Sequence, residues 1–255
     1  MNYNDLLESH LKYGTTKEDI INKAGYKDIL ENVVIAPSWD HTLFNLECEK
    51  VSDHVYNLHD KDISFSFVEV KMFGASNISD YILALGVTKC KNLIFIGSTG
   101  SLDKDIKIGD IVIPEYSICG DGSSRYLNKD LKDTLFEKEY PSKDITNKLI
   151  RILEKENIKY HYVPNFSVDS IFTQYYHLDK IMDMGAKTIE METAYLFKAS
   201  KILNINTTAI FSISDNTILN SSVYSGRSEE DRNIHRRTKK EIIPKVIIEL
   251  FKNEV

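Results

Sequence analysis

The feature that most constrains this chain is the stretch from Lys187 to Thr217, KTIEMETAYLFKASKILNINTTAIFSISDNT. A short apolar start ends at Ile189. Met191, Ala194, Tyr195, Ala199 and Ile202 then recur at helical spacing. Thr207 to Ile213 is β-branched and apolar, as a strand buried on both faces should be. The pattern predicts a strand, a crossover helix and a second strand, and the crossover predicts that the two strands run parallel. Parallel strands end on one edge of a sheet, where open α/β folds bind ligands. Glu192 follows the first strand and Asp215 the second, so both carboxylates are expected at that edge.

The bulk properties suit such a fold. The chain has 255 residues, enough for one large α/β domain with a substantial core, and residues 1–255 are read as that single domain. A net charge of −6 disfavours a general nucleic-acid binder. No apolar run is long enough to span a bilayer, so no membrane partner is expected. The start, MNYNDLLESHLKYG, is polar and does not read as a signal peptide. Cys48, Cys90 and Cys119 are widely spaced and odd in number, which points to a reducing cytoplasm rather than a disulfide frame or zinc site.

Residues 1–30 read as a polar helical lead-in, with Thr16 and Asp19 as a helix start and Gly25 as a stop. Asn32 to Ala36 is the first buried strand, ending in Pro37-Ser38-Trp39-Asp40-His41. Residues 49–72 read as a strand pair with Ser64, Ser66 and Glu69 outward, broken by Phe73-Gly74 before a helix. Leu93 to Ile96 is a second buried strand, and Gly97-Ser98-Thr99-Gly100 reads as a tight turn whose small residues admit a ligand to the backbone. ITNKLIRILEKENI is an amphipathic helix with Ile145, Leu149, Ile152 and Leu153 inward. IIPKVIIELF closes the chain as a helix.

Several of these words occur together in one family. Ile189-Glu190-Met191-Glu192, then Ser214-Asp215-Asn216, resembles the signature of the purine nucleoside phosphorylase and nucleosidase superfamily. The run from Gly97-Ser98 to Ile108-Gly109-Asp110-Ile111-Val112-Ile113-Pro114 is similar to a second motif of that family, and CGDGSSRYL to a turn found in many of its phosphorylases. The resemblance covers roughly residues 30 to 250. It implies a three-layer α/β/α sandwich with a mixed central sheet, and a homo-oligomer between dimer and hexamer whose neighbours complete each site.

The same resemblance assigns roles. Asp215 becomes the acid or hydrogen-bond partner of a purine N7, with Arg227 as a basic helper. Glu192 accepts the ribose hydroxyls, while Met191 and Phe73 touch the sugar. Ser98 and Gly97 contact phosphate or water, together with Asp40 and His41. Phe172 and Ser214 border the base. No metal or other cofactor is implied; phosphate is a co-substrate. Gln174 is not followed by the arginine of the pyrimidine-specific subgroup, which favours a purine.

Two positions depart from the pattern. Where phosphorylases commonly carry phosphate-binding arginines, this chain has Phe95 and, near the first strand end, His41. Pro37 replaces a glycine and lacks the N–H of a phosphate nest. CGDGSSRYL favours phosphate as the nucleophile; the lost cations favour water, with Asp40 or His41 as base. The leading expectation is phosphorolysis of a purine nucleoside for salvage in the cytoplasm. Hydrolysis, or a silent nucleoside-binding member, remains open.

Overall fold

The apolar runs Leu93–Ile96 and Thr207–Ile213 lie side by side at the centre of the molecule. They belong to two strands that pair in parallel over their whole length, Asn206 beside Asn92 and Asn216 beside Ser101. The computed structural model describes residues 1–252; residues 253–255, which the expected domain includes, lie outside the described residues.

The strands are β1 (Asn32–Pro37), β2 (Glu47–Lys50), β3 (Val55–Asp60), β4 (Ile63–Val70), β5 (Asn92–Ser101), β6 (Ile111–Gly120), β7 (Lys138–Glu139), β8 (Tyr160–Val168), β9 (Thr188–Glu190) and β10 (Asn206–Asn216). The helices are α1 (Tyr3–Lys12), α2 (Lys17–Ala24), α3 (Ala75–Ala84), α4 (Lys143–Lys155), α5 (Ile171–Asp183), α6 (Thr193–Leu203), α7 (Glu229–Arg237) and α8 (Ile243–Phe251). The strands form one mixed sheet in the order β10-β6-β8-β9-β5-β1-β4-β3-β2, with β7 on the side of β6. Because β10 also pairs with β5, the first five of these close into a ring, and β1, β4, β3 and β2 extend from it as an open sheet.

The sheet is covered on both sides, giving three layers. On one face Val33, Ile35, Leu93, Phe95 and Phe211 pack with side chains of α2, α3 and α6. On the other, Val34, Ile94, Ile96 and Ile210 pack with α4 and α8. Alternate residues of one strand thus feed two cores, which explains why β1, β5 and β10 read as unbroken apolar runs. The lead-in forms as expected. Thr16 and Asp19 build a reciprocal cap at the start of α2, and Gly25 ends it in the left-handed region at φ 69°. No helix among the described residues is long and apolar enough to cross a membrane.

Three expectations need correction. First, β9 does not run parallel to β10: it is antiparallel to β5, while β10 is parallel to β5. The crossover rule assumes a first strand lying within the sheet alongside the second. Here β9 has three residues, pairs with β5 only at Gly100 and Ser101, and takes its direction from β8. Second, Gly97-Ser98-Thr99-Gly100 is not a turn but the continuation of β5, held straight by pairing with Phe211 to Asp215. Third, Ser66 is buried rather than outward. Its hydroxyl donates to Asn57 Oδ1 (2.6 Å) and accepts from the Leu30 amide (2.8 Å).

Candidate active site

The carboxyl end of β5 gathers the two motifs that the sequence singled out. Thr99 touches both: its hydroxyl donates to the Ile189 carbonyl at 2.9 Å, and its carbonyl lies 3.3 Å from the Ser214 hydroxyl. Ile189 leads into Met191 and Glu192; Ser214 leads into Asp215. The segments that carry the two carboxylates are therefore fastened to one strand end despite the antiparallel course of β9. Gly100 leaves room for this. A β-carbon there would sit 3.2 Å from Asp215 Oδ2 and 3.3 Å from Ile189 Cγ2.

Asp215 is buried, and burial raises its carboxyl above the ordinary range. The Ser214 hydroxyl, donating to Asp215 Oδ1 at 2.6 Å, and the nearby Arg227 charge pull it part of the way back. Arg227 is not bonded to Asp215. Its guanidinium donates to the Ser214 and Val223 carbonyls at 3.3 and 3.2 Å, which keeps a positive charge beside the acid.

The two glutamates around Met191 have different surroundings. Glu190 is buried and accepts from the Asn165 amide (2.7 Å), the Ser167 hydroxyl, the Glu192 and Thr193 N–H groups (2.7 and 2.9 Å) and the Thr193 hydroxyl (2.8 Å). Its oxygens are saturated, and it fastens the first turn of α6 to β8. Glu192 is also buried, and among the described residues its donors are backbone ones, from Gly74 and, at 3.2 Å, from Met191. Burial, and then the charge of Glu190, raise its carboxyl well above the usual range. Gly74 offers its N–H from a φ of 102°, a conformation that a side chain would oppose. Met191 reaches the same corner: its Cε lies 3.9 Å from where a Gly74 β-carbon would be. Phe73, next in the chain, is 53% exposed at the rim.

Ser98 lies on the opposite face of β5 from Gly97, and β-register sets it beside Ser212 of β10. Both hydroxyls meet His235 of α7: Ser212 Oγ is 2.9 Å from Nδ1 and Ser98 Oγ is 3.4 Å from Nε2. Gly97 faces inward, where a β-carbon would come within 3.1 Å of both the Phe95 and Phe211 rings. Its lack of a side chain is therefore accounted for by packing.

At the end of β1, His41 is engaged by neighbouring groups. Its Nδ1 lies 2.7 Å from Glu69 Oε1, its amide donates to the same oxygen at 3.0 Å, and its ring stacks on Tyr56 at 3.7 Å. Asp40 is largely exposed and caps the Thr42 amide at 2.8 Å. Ligand atoms of Asp40, His41 and Glu69 lie within 4.8 Å of one another, a spacing that would also suit a small cation. Phe95 is fully inside the core, so its ring offers nothing to a ligand. Phe172 stands on the first turn of α5 and is 80% exposed. Close to it, Tyr175 pairs with Tyr224 of the loop before α7 at a ring distance of 5.9 Å.

Sequence reasoning missed Glu190 as a structural anchor, the Gly74 N–H as a partner of Glu192, and His235 altogether. Only His235 carried a local signal, a histidine four residues before Lys239 on a helix of otherwise solvated charges.

This arrangement meets its relatives on three counts. Residues 41–242 match the model of the phosphorylase superfamily, and the chain belongs to that family. A DeoD-type purine nucleoside phosphorylase of Exiguobacterium sp. is 27% identical over 144 residues, 55% of this chain and 57% of that one. Another, from Lactococcus lactis subsp. lactis, is 28% identical over 135 residues, 53% and 56% of the two chains. The alignments thus span about half the length of these curated relatives. Among solved structures, uridine phosphorylase of Vibrio fischeri ES114 in complex with 6-hydroxy-1-naphthoic acid superposes with a TM-score of 0.73, covering 88% of this chain and 91% of that one at 16% identity. A Plasmodium knowlesi homologue of the P. falciparum purine nucleoside phosphorylase gives 0.69 over 87% and 89%, also at 16% identity. At such identities the superpositions establish the shared fold.

Proposed function

We propose that the protein cleaves the N-glycosidic bond of a purine nucleoside by phosphorolysis, releasing free base and ribose 1-phosphate. The observation that carries this reading is the placement of two buried carboxyl groups, Glu192 and Asp215, on segments that Thr99 fastens to the end of β5. A phosphate oxygen forms a bond to C1′ as the C1′–N bond breaks, and the bonding pair leaves with the base. A purine anion leaves poorly, so Asp215 donates a proton or hydrogen bond at N7, a role its raised pKa supports. Glu192 accepts the 2′ and 3′ hydroxyls, and any negative charge it carries favours the cationic sugar of the transition state. Met191 packs on the sugar.

Hydrolysis is the second reading. It is favoured by one specific observation: the two arginine positions of the phosphorylase pattern hold a core phenylalanine and a histidine engaged by Glu69. The surroundings of purine salvage, the cytoplasm and a homo-oligomer belong to the same proposal. Incubation with inosine, adenosine, guanosine and uridine, each with and without phosphate, tests it. Base released only with phosphate is the expected result. Base released without phosphate selects hydrolysis, uridine as the preferred substrate rejects the purine assignment, and no release from any nucleoside rejects catalysis of this kind.

A further inference from the structure

The anion end of the site lacks the cations that the sequence pattern led one to expect, yet positive charge reaches it from another element. β5 and β10 present Ser98 and Ser212 as neighbours on the face covered by the C-terminal helices. α7 lays His235 across this pair, with Nε2 on Ser98 and Nδ1 on Ser212. Lys239 follows at i+4, on the π-wound turn that continues α7 into α8, so it lies on nearly the same helix face. Its Nζ donates to the Ser38 carbonyl at 3.1 Å and stands 4.7 Å from the centre of the buried Trp39 ring. One helical face thus spans the carboxyl ends of β1, β5 and β10 with an imidazole and an ammonium group. Arg227 adds a guanidinium at the entry to α7, tied to the Ser214 carbonyl.

We infer that His235 and Lys239 supply the phosphate contacts that β1 and β5 lack, with Ser98 as the hydroxyl between them. This rests on the phosphorolytic reading above. The surroundings make sense of it. Burial, with Lys239 and Arg227 nearby, brings the His235 pKa down to about 4, so the ring is neutral at pH 7 and free to share hydrogen atoms with both serines. Burial and Lys240 likewise lower the Lys239 pKa. A buried ammonium such as Lys239 costs free energy while it lacks a counter-charge. A dianion set against Ser98 supplies that charge and would also favour a proton on His235. Glu69, the carboxylate that engages His41, bonds no group of this trio.

The test is steady-state kinetics in both substrates. Lys239→Met should raise KM for inorganic phosphate about tenfold or more, the loss expected for one charge-assisted hydrogen bond, while KM for the nucleoside stays put. Lys239→Arg should restore most of the phosphate affinity. His235→Gln keeps hydrogen bonds to both serines but cannot become positive; it should raise the same constant and carries the test if the methionine variant does not fold. Phosphate-dependent turnover with an unchanged phosphate KM in these variants overturns the inference and leaves phosphorolysis standing. Turnover that ignores phosphate overturns both.

Discussion

The two banks of the site are built on different principles. The bank formed by β9, the start of α6 and the end of β10 is dense with fixed hydrogen bonds. Glu190 alone ties β8, β9 and α6 together, and Thr99 binds the chain on both sides of it. The opposite bank, formed by the end of β1, the other face of β5 and α7, is held by a few long-range contacts: His235 to two serines, Lys239 to one carbonyl. The first bank must keep two buried acids at fixed places without letting either relax into water. On the proposed reading the second handles an anion that comes and goes, and the groups that meet it ride on a helix rather than a sheet. Pre-organisation serves the groups that meet the transition state, where a small displacement is costly.

Three measurements would break or sharpen that contrast. The largest effect is expected for Asp215→Asn. If the acid works as proposed, turnover falls by about 10²–10⁴-fold with little change in melting temperature. In the wild type the rate should fall as pH rises through the raised pKa of Asp215, because the protonated form is the donor; a rate indifferent to both changes would remove Asp215 from the chemistry.

Next comes Glu190→Ala. It strips the acceptor from a set of buried donors, so stability should drop on the order of 3 kcal/mol, read as a shift in the denaturant midpoint. Glu192→Ala, which frees only two backbone N–H groups, should cost less stability and more activity. Equal stability losses would erase the distinction drawn between the two glutamates.

The smallest effect concerns His235. Its folded pKa of about 4 lies below the ordinary histidine value of 6.5, so the unfolded chain takes up the proton first. Stability linked to this group is therefore full above about 6.5 and drains as pH falls towards 4. His235→Gln should flatten that part of the stability–pH curve, and an unaltered slope would show that the imidazole is not held as neutral as its surroundings imply.

Much of this was legible one residue at a time. Apolar runs marked β1, β5 and β10, because a strand buried on both faces needs a side chain for each core. The reciprocal cap at Thr16 and Asp19 was visible because its partners are three residues apart. Glu192 and Asp215 stood out because one follows a buried apolar run and the other sits at the end of one. By contrast, the Gly97–Gly100 segment misled: glycine in a strand and glycine in a turn look alike until the rings of Phe95 and Phe211, and the carboxylate of Asp215, are seen pressing on it.

The sequence by itself determined which segments are core and which acids end up at a strand end, since those properties follow from local periodicity. Only the tertiary structure decided the direction of β9, the separate fates of Glu190 and Glu192, and the arrival of His235 over Ser98. Each depends on partners far apart in the chain, 137 residues apart for Ser98 and His235. Such pairings are chosen by how whole layers pack, and no local pattern of residues encodes them.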